Sequence, residues 1–66
     1  MYVVLNSPYG MPDKKAYFQK VGTGCFQFVW NKNNASVLTS DECSKLKQHE
    51  TFYCKMYGAA NMTIEK

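Results

Sequence analysis

The run Cys25-Phe26-Gln27-Phe28-Val29-Trp30, the polar turn Asn31-Lys32-Asn33-Asn34 and the tetrapeptide Thr39-Ser40-Asp41-Glu42 decide how this chain folds. In the first run Phe26, Phe28 and Trp30 fall on one face at period two, the signature of a half-buried strand. That face is expected to look into the core. Asparagine tolerates the left-handed backbone region, so Asn31 to Asn34 reads as a turn. Thr39 and Glu42 have the spacing of a capping box. The Thr39 hydroxyl would accept the Glu42 amide, and the Glu42 carboxylate would accept the Thr39 amide. Leu38 and Cys43 are placed for the accompanying hydrophobic staple. Asp41 and Glu42 stand at the positive end of the helix dipole, and Lys45, Lys47 and His49 toward its negative end. The helix predicted from Thr39 to Glu50 is roughly a dozen residues, too short to persist alone in water. Its apolar stripe, Cys43 and Leu46, is wide enough to cover one patch of a sheet.

Outward from this unit, Tyr2 to Asn6 reads as a first strand and Ala16 to Val21 as a second. Ser7 to Lys15, with Pro8, Gly10 and Pro12, reads as a loop. Gly22-Thr23-Gly24 joins the second strand to the third as a hairpin connection. After Glu50, Thr51 to Tyr57 alternates again and is predicted as a fourth strand. Phe52, Cys54 and Met56 would face the core, and Tyr53, Lys55 and Tyr57 would face outward. Residues 58–66 read as a tail, free or paired at an edge. The expected fold is α+β, a β-β-β-α-β order with an antiparallel three- to four-stranded sheet and one short helix on one face. Its open face would carry Tyr2, Tyr17, Gln27, Tyr53, Lys55 and Tyr57.

The chain has 66 residues, enough for one domain. A domain of this size hides only about 60% of the surface its unfolded chain exposes, so its stability is thin. Ten aromatic residues offset this, since rings bury much area per residue. No apolar run approaches the ~20 residues of a membrane span. Met1 to Leu5 lacks a basic leader segment and reads as a strand. The net charge of +3 arises from eight lysines with no arginine. Bidentate reading of bases and phosphates favours arginine, so this composition argues against a sequence-specific nucleic-acid reader. Three cysteines are an odd number, which points to a reducing compartment such as the cytoplasm.

The candidates for chemistry are few. Cys25, Cys43, Cys54 and His49 lack the close paired spacing of a zinc site, so no metal or other cofactor is expected. No cysteine has an activating motif, no second histidine exists, and Asp41 and Glu42 are explained by the cap; no enzymatic constellation forms. Two partner-binding elements remain. One is the outward row Tyr53, Lys55 and Tyr57 with Tyr17 beside it. The other is the loop, with Tyr9 and Met11 beside Lys14 and Lys15. Tyrosine-rich faces suit protein interfaces. Rings alternating with lysine also suit single-stranded nucleic acid, which is the alternative partner. A homodimer through the tail strand is a third arrangement.

Residues 16–49 resemble very small bacteriophage-encoded accessory proteins. The resemblance rests on the aromatic strand at Tyr17 and Phe18, the glycine turn, the strand ending in Trp30, the polar turn, Ala35, the pair Val37 and Leu38, and the capped helix. Cys43 stands where an alanine is usual. The resemblance implies a protein that binds and blocks a host enzyme or defence complex; it transfers no site residue.

Overall fold

The computed structural model describes all residues, 1–66. Its strands are β1 (Tyr2–Asn6), β2 (Lys15–Gly22), β3 (Cys25–Val29) and β4 (Asn61–Glu65); its helices are α1 (Ser40–Gln48) and α2 (Glu50–Tyr57). The strands form one antiparallel sheet in the order β3-β2-β1-β4. The chain is therefore α+β with order β-β-β-α-α-β. Val3, Leu5, Ala16, Phe18, Leu38, Cys43 and Met62 form the buried cluster between sheet and helices.

The capping box forms as its spacing predicts. Thr39 Oγ1 accepts the Glu42 amide at 3.2 Å, and Glu42 Oε1 accepts the Thr39 amide at 3.0 Å. Leu38 and Cys43 both lie in the buried cluster, which completes the staple. Glu42 also pairs with the Lys20 ammonium across to β2. That ion pair, with the Thr39 amide bond, holds the Glu42 carboxyl at about 2 against an ordinary 4.5. Glu50 is lowered chiefly by the Met62 amide and then by Lys47; Glu65 is lowered chiefly by Lys32. Each native value lies below the unfolded one. The stabilisation is thus present above about 4.5 and lost as pH falls toward about 2. A melting-temperature profile should fall within that window and stay flat above it until the thiols ionise near 9, and Glu42→Gln should make the acid fall shallower.

The fourth strand predicted over Thr51 to Tyr57 is instead α2. The apolar residues there satisfy both periods: Phe52 and Met56, like Tyr53 and Tyr57, are also four apart. Nothing between Gln48 and Thr51 breaks a helix. His49 donates to Leu46 C=O at 3.0 Å, a tightened turn that separates α1 from α2 without ending the helical path. Gly58, at φ 61°, then ends α2 in the left-handed conformation. The strand role passes to Asn61–Glu65, so most of the predicted tail is β4, paired along its length with β1.

This exchange inverts part of the expected layering. Tyr53 and Tyr57 lie on the helix side, against Phe26 and Phe28, with centroid separations of 5.4 Å for Tyr53–Phe26 and 4.9 Å for Tyr57–Phe28. They are half-buried; the outward tyrosine row does not exist, and Lys55 is an exposed helix residue. Phe52 and Met56, predicted inward, are 58% and 50% exposed. Trp30, predicted in the core, is 54% exposed.

The other sheet face is not bare. The link after β3 crosses it: Gln19 Nε2 donates to Asn34 C=O at 2.7 Å, and Lys32 lies 5.0 Å from the Tyr2 ring centroid. Lys32 and Lys15 both pair with Glu65, at 3.2 and 3.3 Å. Beneath this polar cover Val4 is fully buried.

Candidate functional site

One end of the molecule gathers exposed groups that the fold does not need. The connection from β1 to β2 contains a 3₁₀ turn, Pro8–Gly10. Its backbone closes on itself: Ser7 N–H donates to Lys14 C=O at 2.9 Å, and Lys14 N–H to Met11 C=O at 3.2 Å. Ser7 and Tyr9 both take positive φ, 55° and 56°. Non-glycine residues there carry strain, which persists only where surrounding contacts impose it and clusters at functional sites. The turn is tied to α2's terminus: Gly10 N–H donates to both Ser7 C=O and Gly58 C=O, each at 3.2 Å. The strained turn displays Tyr9, 63% exposed, between Trp30 and Tyr57 at centroid distances of 6.4 and 6.3 Å.

Trp30 borders a second feature, an open hollow of about 540 Å³ lined by Met11, Asp13, Lys14, Lys15, Tyr17 and Trp30. The loop supplies Met11, Asp13 and Lys14, the outer face of β2 supplies Lys15 and Tyr17, and Trp30 stands just past the end of β3. Lys15 is committed to Glu65, and Asp13 sits on the same rim, so the hollow's positive field is modest. Large amphipathic rings, a methionine and a mixed-charge rim suit a polypeptide partner.

The structure thus joins Met11, Lys14, Lys15 and Tyr17 around one hollow, with Tyr9 on its flank. It separates Tyr53 and Lys55 from them and leaves Tyr57 as a half-buried support beneath Tyr9. Burial raises the Tyr57 hydroxyl's pKa, with Tyr9 and Tyr53 adding to the shift. Trp30 is the residue that sequence reasoning misses. Its period-two position was indistinguishable from those of Phe26 and Phe28; the available signal was its place at the strand's last position, against the polar turn.

Gly58 couples fold and site. A Cβ there would lie 3.4 Å from Tyr9 Cα, on a backbone already at φ 61°. Gly58→Ala should cost about 1 kcal/mol through the left-handed cap. The added methyl would meet the Tyr9 backbone at ordinary contact distance, so the variant should show a lower melting temperature with Trp30 fluorescence little changed.

None of the cysteines lines the hollow. Cys25 is exposed, Cys43 buried and Cys54 half-buried, and desolvation raises the latter two thiols above their ordinary pKa. No three His, Cys, Asp or Glu side chains converge as a metal-binding group, and no helix is long and apolar enough to cross a membrane. Comparison with family models, curated proteins and solved structures finds no match for this chain.

Proposed function

We propose that this chain is a non-enzymatic binding protein that covers a surface of another protein and blocks it sterically. The observation that carries this reading is Trp30 standing half-exposed between Tyr9 and the hollow of Met11 and Tyr17. Tryptophan and tyrosine dominate the energetics of protein interfaces. A self-closed loop on a rigid sheet presents them without the entropy cost of ordering a free segment. The resemblance of residues 16–49 to phage accessory proteins names no target; it supports a host or defence-complex protein, such as CRISPR machinery, as the class of partner, met in the host cytoplasm.

The test is capture from host lysate by immobilised protein, wild type beside the double variant Tyr9→Ser and Met11→Ser. A stoichiometric protein retained by the wild type and lost by the variant supports the proposal. Retention by both, or by neither, removes the site. Single-stranded nucleic acid is the second reading, because Lys14 and Lys15 flank Trp30 and Tyr17. It requires affinity that falls steeply with salt. The Lys15–Glu65 pair and Asp13 weaken that field, so protein is the preferred partner.

A further inference from the structure

The two outer strands of the sheet end differently. At β4 the outward backbone groups of Met62 are capped by charged side chains, while those of Ile64, two residues on, are not. Met62 N–H donates to Glu50 Oε2 at 2.9 Å, and Lys47 donates to Met62 C=O. Charged side chains on an edge are a recognised guard against further strand pairing. β3, the opposite edge, has no such guard. Its residues Cys25 to Val29 include no charge and no proline.

Hydrogen-bond alternation fixes which β3 groups are free. Phe18 C=O accepts from Ser36 N–H at 3.1 Å, and Lys20 N–H donates to Ser36 Oγ at 2.8 Å. Phe18 and Lys20 therefore turn their amides away from β3. Their register partners, Phe28 and Phe26, form non-hydrogen-bonded pairs with them and turn theirs to the open edge. Two N–H and two C=O groups thus point outward, spaced two residues apart around Gln27.

We infer that β3 pairs antiparallel with β3 of a second copy of this chain, about a two-fold axis at Gln27. In that register Phe26 of each copy meets Phe28 of the other, and all four outward groups are satisfied. Shifting the centre to Phe26 or Phe28 pairs only one of the two residues with its own mate and sends the other to Gly24 or Trp30. The side chains agree with the backbone. On the helix face a chain of rings runs from buried Phe18 through Phe26 and Tyr53 to exposed Phe52, each step 5.4 Å. Glu50 reaches β4, so the opposite flank of α2, Phe52 and Met56, points past β3. Two such flanks would cover the joined Phe26 and Phe28 rings. On the other face one Nε2 hydrogen of Gln27 already goes to Gln19 Oε1 at 2.6 Å, leaving its second Nε2 hydrogen and its amide oxygen to pair reciprocally with those of its mate. The pair is isologous, as a two-fold requires. It is a different seam from the expected tail-strand dimer and would carry two copies of the Trp30 hollow.

The test is independent of any target. Sedimentation equilibrium of the reduced wild-type chain should show a monomer–dimer equilibrium. Gln27→Lys sets two like charges face to face and should weaken it by about tenfold or more. Phe52→Asp, at an exposed position, should do the same with the melting temperature of the dilute monomer little changed. Central partners in this register stand about 4.5 Å apart at Cα, within disulfide reach. Gln27→Cys in a Cys25→Ser background should therefore cross-link under mild oxidation, with the bridge mapped to the substituted position. The inference is overturned by a wild-type monomer at about 1 mM. It is equally overturned by a dimer indifferent to Phe52→Asp, or by a dimer in which Gln27→Cys does not cross-link. Should Gln27→Lys fail to fold, the Phe52→Asp and cross-linking results decide.

Discussion

Trp30→Ala is expected to abolish most target affinity while leaving the fold intact. An aromatic hot spot is worth about 2 kcal/mol or more on truncation, a loss of about thirtyfold. The stability cost should be much smaller. The indole is 54% exposed, and its ring contact is with Tyr9, itself 63% exposed. Burial of such partial area contributes about 1 kcal/mol. Tyr57→Ala should behave in the opposite way. Its ring sits 4.9 Å from Phe28 on the core side, so its removal should lower the melting temperature first. Titration calorimetry against a captured target and thermal unfolding of the two variants check this. Equal losses of affinity and stability in both would mean that Trp30 acts only as scaffold.

The contrast between Trp30 and Tyr57 shows what the sequence carries and what it hides. Local devices were legible. Thr39 and Glu42 specify the helix start by their own chemistry, and no distant contact is needed to form that box. The strand Tyr2–Asn6 follows from alternation, as does the strand expected over Cys25 to Trp30, which ends one residue sooner at Val29; so does the outward direction of Tyr2, Tyr17 and Gln27. What failed was a choice between periods. In Thr51 to Tyr57 the apolar residues fit a two-residue and a four-residue repeat equally, so the outcome rested on neighbours. An intact helical path from Gln48 and a glycine positioned as a left-handed stop favoured α2. β1 meanwhile needed a partner on its free side, and Asn61–Glu65 supplied it.

The candidate site was legible in the loop for a related reason. Pro8, Gly10 and Pro12 mark irregular backbone, and loops on a rigid scaffold often present binding groups. The positive φ of Tyr9 and its support by Gly58 depend on where α2 ends, which no local pattern encodes. The same is true of the free β3 edge. The neutral run Cys25 to Val29 is visible in the sequence, but its outward amides follow from Ser36 bonding to β2.

Phe18→Ala should have the largest effect on the fold. Phe18 is buried on a central strand, stacked on Phe26 at 5.4 Å and edge-on to Phe28 at 5.7 Å. Truncating a buried phenylalanine costs about 3–5 kcal/mol. A core in a domain this small supplies about the same amount. The variant should therefore lack a cooperative transition at 25 °C, seen as lost near-ultraviolet dichroism and flat thermal melts. Phe18→Leu fills most of the space and should remain folded, with a lower melting temperature. Phe52→Ala, at an exposed position, should shift the monomer by less than about 0.5 kcal/mol. These measurements must be made across protein concentrations, because pairing of copies through β3 adds stability by mass action. If melting temperature rises with concentration for wild type but not for Phe52→Asp, Phe18 reports the monomer core and Phe52 the joined edge. If Phe18→Ala retains a sharp transition in dilute solution, the ring chain Phe18–Phe26–Tyr53 is not the centre of stability, and the packing of α2 on β3 must be re-examined.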